Sequence, residues 1–72
     1  MQIKPEVQQT WEALKPALET MMRSSVTFEE IREMVSRAYI ETAISASKGN
    51  ISEAGRKISV HRNTIYRYTG NR

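Results

Sequence analysis

The sequence predicts an all-α chain of four helices, two long ones followed by two short ones. Three observations carry that expectation. β-Branched residues are scattered without period-two alternation, so nothing reads as a strand. Apolar residues recur in steps of three and four along residues 7–21 and again through residues 28–47. After Gly49, two very short periodic segments flank Ser59-Val60, which is the layout of a helix-turn-helix.

The first helix is expected from near Pro5. Val7, Trp11, Leu14, Leu18 and Met21 draw one apolar stripe down it. Pro5 suits a first turn, where its missing N–H would have had no helical partner. Pro16 does not suit an interior: it removes a hydrogen bond, clashes with the carbonyl of Glu12 and costs about 3 kcal/mol. The stripe keeps its phase across Pro16, which itself lies off it. A kinked helix is therefore expected, with a break into two pieces as the alternative.

Arg23-Ser24-Ser25 is a short connection, and the next start is spelled out locally. Thr27 can cap a helix while Glu30, three residues on, reaches back to the cap N–H, and Val26 can staple onto Ile31. The second helix is expected from Phe28 through Ala46, with Gly49 as the left-handed C′ residue and Lys48 complementing the negative end. Its apolar face changes along its length. Phe28, Ile31, Met34, Val35 and Ala38 mark the first half, and Tyr39, Ile40, Ala43, Ile44 and Ser47 a rotated face in the second. This implies a two-storey molecule, with the long helices packed together at one end and the C-terminal unit docked at the other.

In that unit Ser52 is the expected N-cap of a helix of about two turns carrying Ala54 and Ile58. A second helix starts near His61 and carries Ile65. Ala54, Ile58, Val60 and Ile65 can close a small core with Ile40, Ala43 and Ile44, and the small pair Ala54-Gly55 lets two helices cross closely.

The 72 residues make one expected domain, residues 1–72, divided into long helices over 5–48 and a helix-turn-helix over 49–68. Below roughly 70–80 residues a single core seldom supplies more than about 3–5 kcal/mol. The stripe on the first helix together with Phe28, Ile31 and Val35 exceeds what one small core can bury. Val7, Trp11, Leu14, Leu18, Met21, Phe28, Ile31 and Val35 are thus the expected interface of a homodimer.

With no Cys, disulfides and thiolate metal sites are excluded, and a reducing, cytoplasmic setting follows. No apolar run spans a membrane, and polar Gln2 and Lys4 stand where a signal peptide would be apolar. No nucleophile with a base, carboxylate pair with a partner His, metal-ligand spacing or phosphate-cradling glycine loop is legible. No enzymatic activity, cofactor or metal is expected.

The charge is unevenly placed. Residues 1–48 hold six Lys/Arg against seven Glu, whereas residues 49–72 hold five Lys/Arg against Glu53 alone. A basic segment that coincides with the short paired helices is the electrostatic footprint a polyanion requires. With Ile65 turned inward, the second short helix presents His61, Arg62, Asn63, Tyr66 and Arg67, with Thr64 near its first turn. Arg62 can pair in bidentate fashion with guanine O6 and N7 in the major groove, and Asn63 or His61 can read another base edge. Ser52, Thr64, Tyr66 and Arg67 are better placed for phosphates, alongside backbone N–H groups at the helix starts.

Tyr39-Ile40, Ala43-Ile44, Gly49-Asn50, Ala54, Ile58, Val60 and the run Arg62-Asn63-Thr64-Ile65-Tyr66-Arg67 together resemble the Fis-type helix-turn-helix. That unit occurs in the nucleoid protein Fis and at the C-terminus of NtrC-like bacterial enhancer-binding activators. The likeness covers residues 28 to 68 and excludes the first helix. It implies a four-helix Fis-like domain acting in transcription regulation on double-stranded DNA, cytoplasmic and nucleoid-associated. The first two helices would dimerise and present two readers to successive major grooves. It further implies backbone contacts by Asn50, Ser52, Thr64 and Arg67 and base-edge positions for His61 and Arg62.

The chain departs from the family pattern at three places. Ser59 replaces the turn glycine, Gly55 replaces the second alanine at a helix cost of roughly 1 kcal/mol, and Tyr68-Thr69-Gly70-Asn71-Arg72 replaces a basic, apolar-ended tail. Other functional readings are a helical oligomerisation or protein-partner module and the DNA-reading end of a recombinase or transposase. Other domains of a larger activator are a further expected partner.

Overall fold

The computed structural model describes residues 4–70; Gln2 and the tail residues Asn71 and Arg72, used above, lie outside the described residues. Four helices follow one another: α1 (Pro5–Arg23), α2 (Phe28–Ala46), α3 (Ile51–Ile58) and α4 (Arg62–Thr69). No strand occurs among the described residues.

α1 opens with Pro5 in its first turn and runs through Pro16 as one helix, so the break at Pro16 is not realised. It closes with paired hydrogen bonds from Ser25 N–H to the Met22 carbonyl and from Val26 N–H to the Met21 carbonyl, 3.1 and 3.2 Å. This is a Schellman end, and Ser25 takes the left-handed position at φ 64°.

α2 begins where the local grammar placed it. The Glu30 N–H donates to Thr27 Oγ1 at 3.1 Å, and the Thr27 N–H donates to Glu30 Oε1 at 2.8 Å. Two otherwise orphaned donors are satisfied reciprocally. The other end differs from expectation by one residue. Lys48 (φ 54°), not Gly49, is the left-handed C′ residue, and Gly49 (φ 85°) follows it. Hydrogen-bond geometry fixes this: the Lys48 N–H reaches the Ser45 carbonyl at 3.1 Å and the Gly49 N–H reaches the Ile44 carbonyl at 2.9 Å. Two left-handed residues in succession turn the chain sharply into α3.

The cap of α3 is Asn50 rather than Ser52: Asn50 Oδ1 accepts from the Glu53 N–H at 3.1 Å. Starting the helix at Ile51 lets that side chain pack on the core, a gain that a start beyond Ser52 would forfeit. α3 ends at Ser59, left-handed at φ 59°, after which the Val60 N–H donates to the Gly55 carbonyl at 2.9 Å.

Ile40, Ala43, Ala54 and Ile65 form the buried centre, with Ile44, Ile51, Ile58, Val60 and Tyr68 packed around it. The core therefore lies between the second half of α2, α3 and α4, as the periodicity of those segments predicts. Tyr39 does not join it. It remains 63% exposed, on the same side of α2 as Phe28 and Val35.

The expected packing of the two long helices on one another is also not found. No Cα of α1 comes within 8 Å of α2, α3 or α4, and no residue of α1 is buried. The stripe on α1 accordingly leaves Val7, Trp11 and Leu14 exposed and Leu18 and Met21 only half-buried. A radius of gyration of 14.0 Å records the result; a compact chain of this length would have about 11 Å.

Candidate nucleic-acid interface

The turn between α3 and α4 is built on a close approach of backbone to backbone. At Gly55 a Cβ would lie 2.5 Å from the Val60 carbonyl oxygen, so this glycine is demanded by the turn and its helix-propensity cost is secondary. Ser59 supplies the left-handed residue that returns the chain, without a glycine. The turn is thus closed by one glycine in the helix and one strained serine after it.

His61 is the N-cap of α4. Its Nδ1 accepts from the Asn63 N–H at 3.0 Å, which leaves the Nε2 side of the ring to face outward as a donor. Arg62 occupies the first helical position and Asn63 the second, both exposed. Arg67 is exposed one turn further on, while Thr64 and Tyr66 are half-buried beside the core. Across the turn, Asn50 and Ser52 are exposed at the start of α3. Asn50 Oδ1 is committed to capping, and Ser52, relieved of that role, keeps its hydroxyl exposed in the first turn.

The fold brings these groups around a shallow open groove of about 420 Å³ lined by Ser52, Gly55, Arg56, Ser59, Val60, His61 and Arg62. Ser52, His61 and Arg62 are expected members. Arg56 is not: its place in the basic segment was visible, but its position opposite Arg62 is created by the turn. Asn50, Asn63, Thr64, Tyr66 and Arg67 do not line the groove and flank it on α3 and α4. Two arginines and the starts of two helices face one concavity, so its field is positive. Among the described residues no group of His, Asp and Glu could hold a metal ion, and no helix is long and apolar enough to cross a membrane.

Two eight-residue helices crossed over a tight left-handed turn, the second carrying outward donors, define a helix-turn-helix of the DNA-binding regulatory class. The family model for the bacterial regulatory proteins of the Fis family matches residues 31–67, and the chain belongs to that family. The match spans most of α2, all of α3 and α4 as far as Arg67, and stops short of α1. No curated protein and no solved structure gives a match to the chain.

Proposed function

We propose that the protein binds double-stranded DNA sequence-specifically as a homodimer, serving transcription regulation as a small Fis-like regulator or as the terminal module of an NtrC-like activator. The observation that carries the DNA reading is the outward surface of α4, where Arg62 and Asn63 stand exposed at the end that enters a major groove first. Arg62, Asn63 and the Nε2 side of His61 read base edges; Asn50, Ser52, Thr64, Tyr66 and Arg67 hold the backbone.

The homodimer rests on what α1 and α2 leave uncovered. Val7, Trp11, Leu14, Phe28 and Val35 are each between 39% and 78% exposed, and Leu18, Met21 and Ile31 are only half-buried. Fully burying one such side chain gains roughly 1.5–3 kcal/mol, so a second copy laid over both helices supplies the core that α1 lacks. A two-fold dimer with both α4 helices on one side of the assembly is the arrangement that two half-sites require.

Selection of bound duplexes from a random pool, followed by titration of the selected and random duplexes, tests this reading. Arg62→Ala should cost about 1–3 kcal/mol on the selected site and relax base preference, whereas Arg67→Ala should weaken all duplexes alike and lower the salt slope by about one. Equal binding of selected and random duplexes by parent and Arg62→Ala protein would refute sequence-specific reading. The exposed face of α1 also fits a protein-partner module without DNA. An absence of salt-sensitive duplex binding at micromolar protein would favour it.

A further inference from the structure

The C-terminal end of α4 is held from a distance. Arg37, on α2, donates through one guanidinium nitrogen to the Tyr68 carbonyl, 31 residues away, and through the other to Glu33 Oε2 at 2.8 Å. The pair Arg37–Glu33 is a one-turn pair on α2, so the guanidinium is oriented before it reaches α4. Its charge also lies where the dipole of α4 is negative. Tyr68 in turn packs its side chain against the core, and the Arg67 guanidinium carbon stands 5.4 Å from the centre of its ring. That separation is within cation–π range.

We propose that Arg37 and Tyr68 are positioning residues for the DNA-backbone contact of Arg67: Arg37 fixes the last turn of α4 on α2, and the anchored Tyr68 ring holds the Arg67 guanidinium in place. The inference rests on the DNA reading above and assigns how one phosphate contact is prepared. An unheld arginine side chain must lose its rotamer freedom on binding, and a side chain already stacked on a half-buried, core-packed ring has surrendered part of it. The arrangement also ties the helix that carries the dimer surface to the end of the reader.

The test is a double-mutant cycle on a labelled random-sequence duplex across a salt series, with side-chain NMR of the free protein alongside. Tyr68→Leu keeps an apolar filler, removes the ring, and should weaken binding roughly two- to fivefold. Tyr68→Phe keeps the ring and should bind as the parent does. Arg37→Gln sits at the surface, so folding is preserved; it should weaken binding by a similar factor while leaving the salt slope unchanged. In an Arg67→Ala background neither Tyr68→Leu nor Arg37→Gln should weaken binding further. In the free protein, Tyr68→Leu should remove the ring-current shift from the Arg67 side chain, and Arg37→Gln should reduce it.

Effects that add fully to Arg67→Ala would overturn the proposal, as would thermal destabilisation with parental affinity. A salt slope lowered by about one in Arg37→Gln would instead make Arg37 a phosphate contact itself, which also overturns it. If the parent bound no duplex, the DNA reading would fall and the positioning role with it. Parental binding with additive effects would remove only the positioning role.

Discussion

The C-terminal unit and the N-terminal helices solve the same problem differently. In the first, α3 and α4 close a core on the second half of α2, and Ala54 and Ile65 are wholly removed from water. In the second, α1 carries as regular a stripe but buries none of its residues. Side-chain caps occur in both regions: the capping box at Thr27 is as complete as the caps at Asn50 and His61, although α1 starts at Lys4 without one. Local hydrogen bonds therefore define helices in either region, and only apolar contact distinguishes a folded unit from a pair of helices awaiting one. The family match follows the same division, covering the cored region and stopping before α1.

The sharpest way to break that comparison is to remove one large apolar side chain from each region. Ile65→Ala should cost about 2–5 kcal/mol, because the side chain is fully enclosed by its own chain. If the second copy covers α1, the melting temperature of the parent rises with protein concentration. Ile65→Ala should lower that whole line and keep its slope. Trp11→Ala should flatten it, and sedimentation should show monomer where the parent is dimer. A concentration-independent parent that sediments as monomer would mean that α1 serves some other partner.

Next in size is the turn itself. Gly55→Ala places a methyl group against the Val60 carbonyl and should cost about 1–3 kcal/mol by overpacking. Ser59→Gly should stabilise by about 0.5–1 kcal/mol, since glycine relieves the left-handed serine but adds chain entropy to the unfolded state. Denaturant unfolding reads both. A Gly55→Ala protein as stable as the parent would show that the turn has room the backbone geometry denies it.

These residues also show what the sequence disclosed and where it stopped. The Thr27–Glu30 box and the core positions of α3 and α4 were legible because each depends on spacing within one or two turns. The cap of α3 is ambiguous in the sequence because Asn50 and Ser52 are both good caps, and the choice turns on Ile51 packing against a core formed elsewhere. At the end of α2 residue preference points to Gly49, while the hydrogen bonds to the Ser45 and Ile44 carbonyls fix the left-handed C′ position at Lys48. Tyr39 sits between two faces of α2, so periodicity alone could assign it to either. Arg56 and Arg37 act across the turn and across 31 residues, and no local pattern records such a meeting. The stripe on α1 was read correctly as apolar, but a stripe does not say which chain covers it.

The smallest effect probes a region that has caps and no core. The backbone N–H of Thr27, then its hydroxyl, hold the Glu30 carboxyl below its ordinary value of 4.5. A carboxylate depressed in the folded state contributes stability above its unfolded value, and that contribution is lost as the pH falls through the folded value. The first turn of α2 should therefore loosen below about pH 4.5, with faster amide exchange at Glu30 and Ile31 while Ala54 and Ile65 stay protected. Thr27→Ala should cost about 1 kcal/mol of helix stability. It keeps the N–H that is the larger cause, so a carbon-13 titration of Glu30 should recover only part of the way toward 4.5. Loosening that spread to α3 and α4 would mean that the start of α2 is coupled to the core more tightly than its lack of packing allows. Confinement to the first turn would locate the boundary between the two regions inside α2, between its capped end and Ile40.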